Sequence, residues 1–247
     1  MKNKENYLEE LELSSRDQKR LMAIMDECEV CNGKGYFVTV KEDGAYFTDC
    51  DCTKKMLYDQ KLMLSGIPAR YLTWSIDDLY DQFKADNPQE YQFIMNFIEN
   101  LKDNVDNGNS FWMASPPGLA KSSISAYIAK KVIEIGYTAY FATASKIVEK
   151  KFDNLGKDNN GFIDYLLYDT NFLVIEEIDK VYLRDDANMA NHLFYEFLLE
   201  LYDQQKSVII TSNKTKDEFI CTLPSYIKDR FSEYKYVVLK GKYSGRS

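Results

Sequence analysis

The sequence predicts an α/β chain: a parallel sheet covered by helices, preceded by a small helical and hairpin module. Three observations predict it. From residue 110 onward, short apolar strands alternate with helix-length segments, the pattern of parallel strands buried on both faces. Within that region, Phe111–Ala114 runs through a Pro/Gly turn into Lys121-Ser122 and a helix-like run, the layout of a strand, a phosphate-cradling loop and a helix N-terminus. Ahead of it, four of the five cysteines cluster between positions 28 and 52.

The bulk numbers agree with such a chain. A length of 247 residues suits one medium domain and a small appendage. Hydrophobic content of 45% beside 28% charged residues is ordinary for a globular protein. No apolar run approaches the length needed to span a bilayer, and the start, Met-Lys-Asn-Lys-Glu-Asn-Tyr, has no apolar core of a signal peptide. The expectation is a cytoplasmic protein with no membrane partner. The net charge of −8 argues against a general nucleic-acid coat, but nine Lys/Arg against four Asp/Glu from Lys206 onward give a local +5, leaving −13 on residues 1–205. An acidic body with a basic C-terminal segment permits local phosphate contact or an acidic face toward a protein partner; an ordinary solvated surface explains any single cluster as well.

Taken in order, residues 4–27 predict one or two helices, with Leu8, Leu11, Leu21, Ile24 and Met25 as apolar positions. Cys28-Glu-Val-Cys31 follows, and Cys50-Asp-Cys52 closes the segment. Between them Tyr36–Val40 and Ala45–Thr48 flank Asp43-Gly44, a hairpin signal in which Asp-Gly supplies positive φ angles. Two cysteine pairs at the base of a hairpin, Cys28, Cys31, Cys50 and Cys52, can converge on one ion, and thiolates in this spacing suit closed tetrahedral Zn2+; free buried thiols are the alternative. Cys221 stands alone as a small buried residue, and His192, far from the cysteines, is a surface or core residue rather than a ligand. After a helix over 53–64, Gly66 and Pro68 break the pattern. The expected domains are therefore 1–65, a linker at 66–87, and 88–247. A helix over 88–106 turns Tyr91, Ile94, Phe97, Ile98, Leu101 and Val105 to one face. In the sheet region the strands are 111–114, 138–142, 171–175, 207–211 and 234–239. The helices are 121–136, with Ile124, Ile128, Val132 and Ile135 inward, then 144–153 and 187–205.

A P-loop reads G-x-x-x-x-G-K-[ST]; here Ser115 and Ala120 occupy the glycine positions, while Gly118, Lys121 and Ser122 remain. Lys121 supplies a point charge to phosphate and Ser122 a hydroxyl to Mg2+. Ala120 adds a Cβ beside the site, and Pro116-Pro117 removes two donors. By itself the motif is equally a plain strand–turn–helix. Phe172–Ile175 followed by Glu176-Glu177 is an apolar strand ending in two carboxylates, the first to orient the metal and the second to polarise the attacking water; a strand running into an acidic loop is the plain alternative. Val208–Asn213 is a third piece, a buried strand ending in an amide fit to sense a γ-phosphate or place the water. Glu177 and Asn213 are thus candidate catalytic residues; an arginine acting from a neighbouring subunit comes from a short supply of six, of which Arg230 and Arg246 lie in the basic segment, where surface solubility explains them as well. Lys146, Lys150 and Lys151 are candidate DNA contacts, with a solvated helix face as the alternative.

These residues resemble the helicase loaders of the DnaC/DnaI type, within the AAA+ ATPases, together with the IstB transposition helpers. The resemblance covers almost all of the chain after residue 27. Its most specific parts are the cysteine hairpin and Ser65-Gly-Ile-Pro-Ala-Arg-Tyr71, similar to the family's linker signature. Tyr140–Val148 matches the second strand and its helix. Asp229-Arg230 sits where the family has its arginine finger, and Leu239–Arg246 resembles a terminus carrying the sensor 2 arginine. The resemblance implies an AAA+ P-loop ATPase domain behind a zinc-binding module and ATP and Mg2+ as cofactors. It implies a replicative DNA helicase bound through the N-terminal part, homo-oligomers on that helicase, and contact with single-stranded DNA. The departures at Ser115, Ala120 and Glu176 put hydrolysis in question more than fold. Relaxed motifs fit a small accessory factor of a phage or mobile element. A non-enzymatic adaptor and an IstB-like helper are the competing classes.

Overall fold

The computed structural model describes residues 13–155, 161–183, 187–215, 218 and 224–241. It divides into two compact units, residues 1–65 and 66–247.

In the first unit, α1 (Ser15–Asp26) starts at Ser14, whose hydroxyl accepts the Asp17 N–H at 3.2 Å, an N-cap that satisfies one orphan donor. The hairpin β1 (Tyr36–Lys41) and β2 (Gly44–Asp49) is antiparallel, Val38 opposite Phe47. Its turn differs from the expectation: Lys41 pairs with Gly44, so the two loop residues are Glu42 and Asp43. Neither takes a positive φ; only Gly44 does. The Tyr46 hydroxyl donates to Asp43 across this turn. The helix α2 (Asp51–Leu64) then packs on α1. Every strand residue is exposed and α2 buries none. The buried apolar residues of this unit, among those described, are Leu21, Cys31 and Cys50.

The second unit opens with residues 66–87, expected as a linker but packed into the unit. Gly66 at φ +69 lies so close to the next strand region that a Cβ would meet the Phe141 carbonyl oxygen at 2.7 Å. Ile67, Ile76, Leu79 and Phe83 are buried, and the Lys130 ammonium donates to the Leu72 carbonyl at 3.0 Å and to that of Trp74. The short helix α3 (Asp81–Asp86) leads to α4 (Pro88–Glu99) and α5 (Leu101–Asp106). One helix was expected there. It breaks at Asn100, whose side-chain amide donates to the Asn96 carbonyl at 2.9 Å, the local competition with backbone bonding characteristic of Asn.

The sheet holds β3 (Phe111–Ala114), β4 (Ala139–Thr143), β5 (Phe172–Glu176), β6 (Ser207–Ser212) and β7 (Lys235–Val238) in the order β4-β5-β6-β3-β7, with every pairing parallel. β3, β5 and β6 are buried throughout, as strands covered on both faces must be. Crossovers are made by α6 (Lys121–Glu134), α7 (Ala144–Asp153), a short helical and π-turn segment at 161–169, and α9 (Ala187–Asp203), with α8 denoting Gly161–Asp164; α10 (Ser225–Phe231) precedes β7. On α6, Ile124, Ile128 and Val132 are buried as expected, but Ile135 is 46% exposed. It caps the helix C-terminus, and Ile133 fills the inward place. Because all five strands run the same way, their carboxyl ends share one edge, the edge where open α/β sheets bind ligands.

Candidate nucleotide and metal sites

At that edge β3 hands the chain to the loop 115–120. The loop keeps glycine at Gly118, with φ +90. Ala120 sits at φ 57, ψ 10 as the N-cap of α6, the left-handed conformation that glycine adopts freely and that costs an alanine roughly 1–2 kcal/mol. Ser115 is absent from the positive-φ residues, so its replacement of glycine carries no backbone strain. No side chain caps α6, and its first N–H groups and its dipole remain available to an anion.

Lys121, the first residue of α6, is 8% exposed. Its ammonium donates to the Ser115 carbonyl at 2.8 Å, the Ser115 hydroxyl at 2.9 Å, the Pro116 carbonyl at 3.2 Å and the Asn213 side-chain oxygen at 3.0 Å. Burial pushes this lysine down to about 8, against the pull of Asp179, Glu176 and Glu177. Two expected pieces, the loop lysine and the amide after β6, are therefore in direct contact across 92 residues of sequence.

Glu176, the last residue of β5, is 6% exposed. Burial raises its carboxyl to about 7; a hydrogen bond from Ser122 works the other way, Glu177 adds to the rise, and Lys121 and Arg70 oppose it. Its Oε1 has no hydrogen-bond partner. A buried carboxylate oxygen without a donor is costly, and a hard cation bound by Glu176 and Ser122 would remove that cost. Magnesium and a triphosphate thus fit the residues present. Glu177 turns the chain at φ +54; its N–H donates to the Thr211 hydroxyl at 3.1 Å and its carboxylate pairs with Lys180 at 2.6 Å. Arg230 lies on α10, donating to the Tyr226 carbonyl and stacking over Tyr202, apart from the Lys121 contacts. Arg246 and Cys221 lie outside the described residues.

Three neighbours were not read from the sequence. Asp179, 5% exposed, accepts the Asn213 N–H at 2.9 Å. Thr211 holds Glu177, and Arg70 acts on Glu176. The run Glu176-Glu177-Ile178-Asp179 did carry a third acid, in a place where a tight turn after a strand brings it back to the sheet edge. Among the candidate DNA contacts, Lys146 donates to the Tyr140 hydroxyl at 2.9 Å and Lys151 faces Glu196 at 3.8 Å, so both already have protein partners. His192 is exposed and pairs with Glu196.

In the first unit the Sγ atoms of Cys28, Cys31, Cys50 and Cys52 lie within 4.8 Å of one another, with Cys28–Cys50 at 3.8 Å and Cys31–Cys52 at 3.5 Å. Tetrahedral zinc with bonds of about 2.3 Å spaces its sulfurs by about 3.8 Å, so the set is already near ligand geometry. The Gly35 N–H donates to Cys31 Sγ at 3.2 Å. Burial acts to raise both Cys31 and Cys52; at Cys31 the Gly35 N–H and the other thiols outweigh it and hold the thiol at about 7, whereas at Cys52 the thiol neighbours add to burial and push it to about 12.

No family profile matches the chain. A stretch of 117 residues is 29% identical to an ATP-binding protein of insertion sequence IS5376 from Geobacillus stearothermophilus, covering 47% of this chain and 44% of that protein. The match thus spans less than half the length of this curated relative. Among solved structures, the DnaC helicase loader matches with a TM-score of 0.60 at 19% identity, over 70% of this chain and 100% of that one. DnaI matches at 0.54 and 17%, over 72% and 94% of the two chains. The replication initiator DnaA bound to AMPPCP and single-stranded DNA matches at 0.56 and 14%, over 73% and 53%. At these identities the likeness is one of fold: the five-stranded parallel sheet with its flanking helices is the AAA+ P-loop fold. Among the described residues, no helix is long and apolar enough to cross a membrane.

Proposed function

We propose that this chain is an ATP-regulated loader that binds a replicative DNA helicase in the cytoplasm and helps place it on single-stranded DNA. The observation that carries this reading is the convergence of Lys121, Asn213 and Glu176 at the carboxyl edge of a sheet, in a fold that covers the whole DnaC helicase loader structure. The four-cysteine unit ahead of it is the part expected to meet the helicase, and copies of the chain are expected to assemble on that partner.

In this reading Lys121 and the uncapped start of α6 hold the phosphates of ATP, and Glu176 with Ser122 holds Mg2+. The metal supplies charge neutralisation at the phosphates. A bound nucleotide would compete with Ser115, Pro116 and Asn213 for the Lys121 ammonium, and the Asn213 amide would be left to hydrogen-bond a phosphate oxygen or a water. Glu177 becomes available to orient that water once its pairing with Lys180 opens. Arg230, and Arg246 beyond the described residues, act across a subunit boundary.

Calorimetric titration with Mg-ATP tests the site: the unaltered chain gives a saturable heat and Lys121→Ala loses it, whereas the same absence of heat in both would sink the proposal. A pull-down with the replicative helicase, with and without ATP, tests the partner. The similarity to the IS5376 ATP-binding protein favours a second reading, a transposition helper on the same ATPase core, and retention of a transposase in place of helicase would decide for it. The altered loop at Ser115 and Ala120 favours a third, an adaptor that binds helicase without turnover; helicase capture with no phosphate release would decide for that one.

A further inference from the structure

The sheet ladder that holds β6 ends at Ser212. The last pairing to β5 is Ile175 with Ile210, and the Ser212 carbonyl accepts the Ser115 N–H at 3.2 Å. Asn213 therefore leaves the sheet with its own N–H facing away from any strand, yet its side chain must be placed to within a few tenths of an ångström to reach Lys121. The acceptor for that N–H is the buried Asp179 carboxylate, at 2.9 Å. Asp179 is brought there by the turn that follows β5. Glu177 reverses the chain at φ +54, the Lys180 N–H closes on the Glu177 carbonyl at 2.9 Å, and Ile178 is fully buried beneath. A second tie, Glu177 N–H to the Thr211 hydroxyl, joins the same two strand ends.

We infer that Asp179 is the positioning residue that fixes Asn213 at the end of β6 and, through the Asn213 side-chain oxygen, the resting place of the Lys121 ammonium. It acts as a hydrogen-bond acceptor at a fixed point. The inference rests on the nucleotide-site reading above for its consequence, but the anchoring itself does not depend on nucleotide. The roles of acceptor and charge separate cleanly by substitution. Asp179→Asn keeps an oxygen in place and removes the charge, Asp179→Glu keeps the charge and displaces the oxygen, and Asp179→Ala removes both.

The test uses the full chain labelled with 15N-asparagine, the Asn213 resonance being identified by its loss in Asn213→Ala. The expected result is that Asp179→Ala and Asp179→Glu speed amide hydrogen exchange at 213 at least tenfold and weaken Mg-ATP binding at least fivefold, while Asp179→Asn, which also removes a charge that acts on Lys121, stays within about twofold of the unaltered chain in exchange at 213. Should Asp179→Ala lose the dispersed spectrum of a folded protein, the Asn and Glu variants decide between them. Exchange at 213 unchanged in Asp179→Glu overturns the inference, as does exchange in Asp179→Asn proving as fast as in Asp179→Glu, which would assign the effect to charge. If the unaltered chain binds no Mg-ATP, the nucleotide reading alone falls, and the exchange comparison still supports or overturns the anchoring.

Discussion

Lys121 and Glu176 are charged groups taken out of water at one edge of the sheet, and each carries the mark of it. Burial lowers the lysine to about 8 and raises the glutamate from 4.5 to about 7. For Glu176 the folded chain holds its proton more tightly than the unfolded chain does, so its contribution to stability is full below about 4.5 and is lost as pH rises through about 7. The shift corresponds to roughly 3 kcal/mol. Thermal unfolding of the nucleotide-free chain between pH 4.5 and 8 is expected to show a falling melting temperature that Glu176→Gln flattens; an equal slope in both would remove Glu176 as its source. Mg2+ held by Glu176, as proposed, would need the ionised carboxylate, so added Mg-ATP is expected to reverse the trend above pH 7. The place of Lys121 and Ser122 at the start of α6 was legible because the loop motif lies within eight consecutive residues. Asp179 was not, because its partner Asn213 lies 34 positions away and only folding makes them neighbours.

At the scale of the element, the loop 115–120 shows what the substituted glycines cost. Ser115 keeps an unstrained backbone and lends two oxygens to Lys121. Ala120 pays for its Cβ with a left-handed backbone at the start of α6. Ala120→Gly is expected to relieve roughly 1 kcal/mol, offset in part by the added freedom of glycine in the unfolded chain. A rise in melting temperature with unchanged or tighter Mg-ATP binding is the expected outcome, and a fall would show the methyl group to be packed to advantage. The sheet strands and the longer helices followed from apolar periodicity, whereas the short α3, α8 and α10 did not. Nor did the ends of the elements: the hairpin turn moved by one residue because cross-strand register set it, and the 88–106 helix broke where Asn100 bonds back to Asn96.

For the whole molecule, the two units rest on different forces. Residues 66–247 bury an extended apolar core, which suffices for independent stability. The described part of residues 1–65 buries almost nothing apolar besides Leu21 and two of the cysteines, so zinc bound by the four cysteines would supply folding free energy there. Zinc analysis is expected to return one ion per chain. Chelation should open residues 13–65 to protease while leaving the main calorimetric transition of residues 66–247 in place. Persistence of the protected first unit without zinc would show that the cysteines are structural thiols.

The sequence by itself determined the class of the fold, the order of the five sheet strands and the longer helices along the chain, the cysteine set and the place of the loop lysine, because apolar periodicity and short motifs are local properties. Tertiary structure alone decided that 66–87 is packed rather than free, that Asn213 and Lys121 touch, that Glu176 keeps an unpartnered oxygen, and that Asp179 belongs beside them. Each of those depends on which strand ends lie side by side. Strand order in a parallel sheet is set by crossovers between distant segments, and no window of the sequence contains it.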